Sequence, residues 1–360
     1  MSGSSDRPIF IVGCARSGTT LLQAMVHSHP RLAMPPENRF VMPVYRERIE
    51  FGDLRQAENR DAVARYITKT RALKFRDLGV RAADVRRRVH EVPPTIGSML
   101  GAVLELYAQR FGKQRWGDKR PNYIQDLDVV LDLFPDAQII HIIRDGRDCV
   151  ASLKRMPWWT FGYPASVYKW VNAIDTGLKA REELRPDQYH EVRYEDLVSD
   201  PRTHLEALCA FLDEDFDEAM LEHHRDAEEK VPGYKDWHEQ VHKPVTQNAV
   251  RRWQTELDEQ EIRLFEHVAA RRLEVMGYTP SLSRLQRRPS AHTRRAYRRF
   301  VRSRLRKERV DAADAAQVAQ RYDQPVAAML TSGQRQLARD NGYEDLLRAN
   351  ASVPESAASE

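Results

Sequence analysis

The sequence predicts an α/β protein: a mostly parallel sheet flanked by helices, with a helical insertion and a helical C-terminal extension. Two stretches carry that expectation. Near the start, the apolar run Ile9-Phe10-Ile11-Val12 enters Gly13-Cys14-Ala15-Arg16-Ser17-Gly18-Thr19-Thr20 and leaves as Leu21-Leu22-Gln23-Ala24-Met25-Val26, the pattern of strand, glycine-bounded loop and helix. Farther on, Ala137-Gln138-Ile139-Ile140-His141-Ile142-Ile143 is isoleucine-rich, as buried parallel strands are. It delivers Arg144-Asp145-Gly146-Arg147-Asp148 before Val150-Ala151-Ser152-Leu153 opens a second helix.

Gly13 and Gly18 let the first loop curl, so that successive N–H groups and a helix N-terminus converge on one anion. A Walker loop would end in Gly-Lys-Ser/Thr, with the lysine on the outer phosphates and the hydroxyl on magnesium. Here Thr19 stands at the lysine position and the cation comes earlier, at Arg16. That suits a nucleotide whose terminal group carries less charge than a triphosphate and needs no metal. The stretch resembles the 5′-phosphosulfate loop of sulfotransferases that use 3′-phosphoadenosine 5′-phosphosulfate (PAPS). The resemblance implies a P-loop-type sheet, with Ser17, Gly18, Thr19 and Thr20 holding the 5′-phosphate and Arg16 beside the sulfuryl group.

At 360 residues the chain can bury one full catalytic domain with additions. Residues 281–309 hold twelve Lys and Arg against the single acid Glu308, and without them the chain is net negative, so basicity belongs to a segment. Cys14, Cys149 and Cys209 show neither disulfide-framework nor zinc spacing. The chain opens on Met1-Ser2-Gly3-Ser4-Ser5-Asp6, without a basic end followed by an apolar stretch, and no run approaches the roughly 18 apolar residues of a membrane span. The expectation is a reduced, cytoplasmic chain that requires no metal.

Along the chain, His29-Pro30 ends the first helix, and a short strand near Leu32 gives way to Pro35-Pro36-Glu37. Glu37 follows Arg16 by twenty-one residues, the spacing of loop arginine and catalytic glutamate in the tyrosylprotein sulfotransferases that this region resembles. Residues from about 45 to 115 show apolar positions three and four apart, a helical insertion that packs over the sheet or serves as an acceptor lid. Trp116 to Tyr123 reads as a polar loop between helices. The resemblance puts its Lys119 next to the sulfonate, where a cation offsets charge on the departing phosphate.

Arg144 and Ser152, eight apart, resemble the 3′-phosphate pair of the same enzymes. Arg147 reads as a partner for neighbouring acids. Trp158, Trp159 and Phe161 lie in an aromatic loop that could flank an acceptor. Tyr194, in Tyr194-Glu195-Asp196-Leu197 after another strand, matches a tyrosine near the 3′-phosphoadenosine. Lys243-Pro244-Val245 through Trp253, with a helix over Leu257 to Met276 that Gly277 stops, again resembles the tyrosylprotein branch and suggests a cofactor contact from Arg251 or Arg252. His223 and His224 form no convincing metal motif.

These readings combine into a PAPS-dependent sulfotransferase, with residues 1–280 as catalytic domain and 281–360 as a basic helical extension with a disordered end. Glu37 would take the proton of an acceptor hydroxyl on tyrosine, carbohydrate, lipid or a small molecule, and 3′-phosphoadenosine 5′-phosphate (PAP) would be left. A P-loop kinase or NTPase fits less well, because the loop lysine is missing and Arg144 and Ser152 are left unused. A membrane- or nucleic-acid-binding protein built on the basic segment leaves both phosphate motifs unexplained. Tyr297, Val301 and Leu305 fall on one face among arginines. That helix is either solvated and docked on the domain or, through residues 281–310, in contact with an anionic membrane surface or an acidic partner; no nucleic acid is expected.

Overall fold

The computed structural model describes residues 6–225 and 243–321. Five strands form the centre: β1 Ile9–Gly13, β2 Leu32–Ala33, β3 Arg115–Lys119, β4 Gln138–Ile143 and β5 Tyr189–Arg193. They lie in the order β2-β3-β1-β4-β5, and every pairing is parallel. Alternate side chains of a strand face opposite sides, and β1 and β4 supply both. Phe10, Val12, Ile139 and Ile143 enter one apolar core, while Ile9, Ile11, Ile140 and Ile142 enter the other. That double burial is why these strands read as unbroken apolar runs.

Helix α1, Thr19–Ser28, covers the second face with Leu22, Met25 and Val26. The insertion holds α2 Val41–Arg46, α3 Ala57–Lys69, α4 Ala82–Arg88 and α5 Ile96–Arg110. Thr95 caps α5 by accepting the Ser98 N–H. Trp116 to Tyr123, expected as a polar loop between helices, instead begins inside the strand β3, Arg115–Lys119. Alternation could not show it. Its polar residues are buried on partners distant in sequence, and Gly117 is needed because a Cβ there would lie 2.6 Å from the Ile9 carbonyl oxygen and 2.4 Å from the Met34 sulfur.

After β3 come α6 Leu127–Leu133, α7 Gly146–Lys154, α8 Tyr163–Glu183, α9 Tyr194–Ser199, α10 Pro201–Phe211, α11 Trp253–Glu256, α12 Glu259–Val275 and α13 Ala291–Arg321. A capping box between Asp258 and Glu261 starts α12, and Gly277 leaves it at φ 79°. The chain past residue 280 is tied to the body. Wholly buried Glu266 on α12 accepts hydrogen bonds from Ser281 N, Ser281 Oγ and Leu282 N at 2.7, 2.8 and 2.9 Å. On α13, Phe300 meets Tyr168 of α8 edge-on at 5.8 Å and Tyr297 packs on the main core. Part of the apolar face expected on this helix is therefore occupied by the domain. The end expected to be disordered lies outside the described residues. No helix among the described residues is long and apolar enough to cross a membrane.

Candidate active site

The chain runs from β1 out to β2 and β3 on one side and then to β4 and β5 on the other, so the order reverses beside β1. Ligands of open parallel sheets bind at the C-terminal strand ends at such a point. Three adjacent strands supply groups there: the glycine loop follows β1, Lys119 ends β3 and Arg144 follows β4. They line one cleft of about 600 Å³, with nine Lys and Arg against two carboxylates, Glu37 and Asp148.

Arg16 adopts φ 73° and Gly18 φ 99°. Residue 18 must be glycine, since a Cβ would lie 2.5 Å from the Tyr194 ring. Gly18 precedes α1 without offering a side-chain cap, which leaves the first N–H groups of that helix aimed at the cleft for an anion. Thr19 and Thr20 line it, whereas Ser17 is wholly buried under the turn and its hydroxyl has no partner among the described residues.

The side chains that the sequence motifs and their family resemblance singled out stand in two groups. In the first, Lys119 Nζ lies 3.3 Å from Glu37 Oε2 and 3.4 Å from Thr20 Oγ1, with Lys119 2% and Glu37 27% exposed. In the second, Arg16 Nε donates to Ser152 Oγ at 3.0 Å, and Arg144 donates from Nη1 to the Arg16 carbonyl at 3.0 Å and from Nη2 to the Ala249 carbonyl. Arg144 also lies over the Tyr194 ring, 4.6 Å from its centroid. Arg16, expected beside the sulfuryl group, therefore also adjoins the expected 3′-phosphate pair. Burial, then the Arg144 and Arg155 charges, draw its pKa down to about 10. The Nε of Arg144 is buried without a partner among the described residues. A phosphate accepting from these donors would satisfy both conditions, so the residues fit a nucleotide that carries two separated phosphate-type groups.

Arg252 lines the cleft and pairs with Glu256 at 2.8 Å; Arg251 does not line it and is held through its backbone N–H by Asp148. Arg147 is engaged elsewhere, with Asp145 at 2.7 Å, Glu266 at 2.8 Å and the Trp253 ring at 4.1 Å. Trp158, Trp159 and Phe161 line the cleft.

Three polar anchors escaped the sequence reading. Buried Asp118 accepts from Asn38 Nδ2 at 2.8 Å, Lys119 N at 2.8 Å and Tyr123 Oη at 2.7 Å, joining the residue after Glu37 to the end of β3. Burial raises its pKa to about 6. Gln23 of α1 holds the Pro35 carbonyl just before Glu37. Asp148 accepts the N–H groups of Arg251 and Trp253 at 2.8 and 2.9 Å, setting the far wall. The one available signal was that acids and amides flank the motif residues. Cys14 and Cys149, distant in sequence, hydrogen-bond as buried thiols between the glycine loop and α7, which lowers the Cys14 pKa.

Residues 8–218 match the model of the Sulfotransferase family. The chain is 27% identical over 287 residues to "Protein-tyrosine sulfotransferase" of Drosophila melanogaster, covering 76% of this chain and 52% of the relative. It is 26% identical over 293 residues to "Protein-tyrosine sulfotransferase 2" of Gallus gallus, covering 77% of this chain and 71% of the relative. It therefore spans about half the length of the Drosophila protein. A solved sulfotransferase domain from the curacin biosynthetic pathway shares the fold at a TM-score of 0.54 with 20% identity, over 77% of this chain and 99% of that one. With its parallel sheet and with more than half its length matched by the family model, the chain belongs to the sulfotransferase family.

Proposed function

We propose that this sulfotransferase uses PAPS and that residues 1–280 hold the groups that act in transfer. The observation that carries the reading is the meeting, in one cationic cleft, of the Glu37–Lys119 pair, the uncapped α1 N-terminus and the Arg144 Nε, which has no partner among the described residues. When bound, PAPS supplies the sulfuryl group: an acceptor oxygen bonds to sulfur while the bond from sulfur to the 5′-phosphate oxygen breaks. Glu37 takes the acceptor's hydroxyl proton. Lys119 and Arg16 stabilise negative charge developing on the leaving phosphate. The α1 N-terminus would hold that phosphate, Arg144, Ser152 and Tyr194 would hold the 3′-phosphate end, and Arg252, which lines the cleft where Arg251 does not, would supply any further contact. A phenolic hydroxyl is the acceptor of first choice. The curated relatives are named for protein tyrosine, and Trp158, Trp159 and Phe161 offer apolar ring faces in the same cleft.

A thermal-shift series tests the cofactor. PAP should raise Tm by mass action, and ATP with magnesium should raise it much less. Arg144→Ala should weaken PAP binding by roughly 1.5–3 kcal/mol, the value of hydrogen bonds to a charged group, and weaken adenosine 5′-phosphosulfate, which lacks the 3′-phosphate, far less. Equal losses for the two ligands would remove Arg144 from the 3′-site.

A further inference from the structure

A second hollow, of about 650 Å³, lies between α12 and the chain that follows it. We propose that it binds clustered phosphate groups, those of a polyphosphorylated small molecule or of a polyphosphoinositide headgroup, independently of the sulfuryl-transfer cleft. Six arginines converge on it from three elements: Arg271 of α12, Arg284, Arg287 and Arg288 of the connecting loop, and Arg294 and Arg298 of α13. The last two are four residues apart and so share a helix face.

The hollow's carboxylates offset only part of this charge. Glu266 is fully buried, already accepts from Arg147, Ser281 and Leu282 and lies 3.7 Å from Arg287, which leaves exposed Glu274 for the other arginines. Arg271, Arg284, Arg288 and Arg298 form no ion pair among the described residues. The walls are nevertheless set before any ligand arrives. Arg287 Nε donates to the Leu282 carbonyl at 2.7 Å, Arg294 Nη1 to the Pro289 carbonyl at 2.6 Å, and Arg263 Nη1 to the Gln286 carbonyl at 2.8 Å. The convergence of charge also reaches His267 in the hollow, whose pKa is lowered by burial and then by Arg294, Arg298 and Arg288.

Guanidinium forks match phosphate oxygens bidentately, and a dense anion relieves the mutual repulsion of six like charges. The volume is that of a small-ligand site. Single-stranded nucleic acid is disfavoured, because its binding sites add aromatic stacking platforms and, among the described residues, no Phe, Tyr or Trp lines this hollow.

The test is calorimetric titration of the full chain with inositol hexakisphosphate, with PAP saturating so that the sulfuryl-transfer cleft is filled. Binding should weaken with added salt. Arg288→Glu/Arg298→Glu, at exposed positions outside the transfer cleft, should weaken it roughly tenfold or more, as loss of charge-assisted contacts requires. A separate PAP titration of the same variant should be unchanged, and its failure would count against the cofactor reading alone. Arg288→Gln/Arg298→Gln repeats the test without charge reversal should the first variant not fold. Phosphatidylcholine vesicles with and without phosphatidylinositol 4,5-bisphosphate separate the sources: capture lost in the variant assigns the lipid headgroup, and hexakisphosphate binding without capture assigns a soluble ligand. Variants that bind like the parent, binding of neither probe, or capture of single-stranded RNA instead would overturn the proposal.

Discussion

Glu37→Gln should lower turnover by roughly 100-fold or more, the share of a positioned general base, while PAP affinity stays at the parental value. Glutamine keeps the length and hydrogen bonding of the side chain and deletes the proton acceptor. The loop that carries residue 37 should hold its place, because Gln23 grips the Pro35 carbonyl and Asn38 binds Asp118. Lys119 loses its 3.3 Å ion-pair partner but keeps the Thr20 contact. Arg16→Ala should behave differently and weaken PAP binding together with turnover, since Arg16 adjoins Arg144 and Ser152. The measurement is steady-state transfer to a phenolic acceptor, with PAP titrated calorimetrically into both variants. An unchanged turnover number for Glu37→Gln would move the base elsewhere. His141 is no substitute, although it stands in the β4 strand that leads to Arg144. Its Nδ1 is bonded to the Tyr189 hydroxyl at 2.6 Å beneath α8, and burial drives its pKa down to about 3.

Glu266→Ala should destabilise the fold by roughly 3–5 kcal/mol, the cost of removing one partner from a buried ion pair. Arg147 lies under α12 with its guanidinium between Asp145 and Glu266, and losing one acid leaves part of its charge uncompensated where water cannot reach. For a domain of this size Tm should fall by roughly 6–20 °C. The same site says where the chain can be cut. Ending it after Pro280 removes Ser281 and Leu282, which donate to both Glu266 oxygens, and Arg287, 3.7 Å from one of them. That truncation should melt well below one ending after Ser290, which keeps all three residues. Matching melting curves for the two truncations would show that the segment after 280 does not support the fold. We therefore propose that the folded body extends past residue 280, to at least Arg287.

Local pattern was enough for much of this protein. The runs before Gly13 and Arg144 are apolar on both faces because those strands are buried on both faces, and the glycines of the first loop mark backbone that a Cβ would block. Short motifs and what their resemblance to a family implies pointed to Arg16, Glu37, Lys119, Arg144, Ser152 and Tyr194, and all six line one cleft. What the tertiary structure decided is polar and buried. Strand β3 lacks apolar alternation, and its close pairing with β1 needs the bare Gly117 beside the Ile9 carbonyl. Asp118 and Glu266 look like ordinary surface acids in the sequence, yet Asp118 meets Asn38 eighty positions away and Glu266 meets Arg147 across 119. The same holds for the arginine hollow: the sequence shows a basic segment, and only the return of that segment onto α12 turns it into a concave site. A buried polar group is stable only where its partner is brought to it. Chain closure over such distances leaves no periodic mark in the sequence.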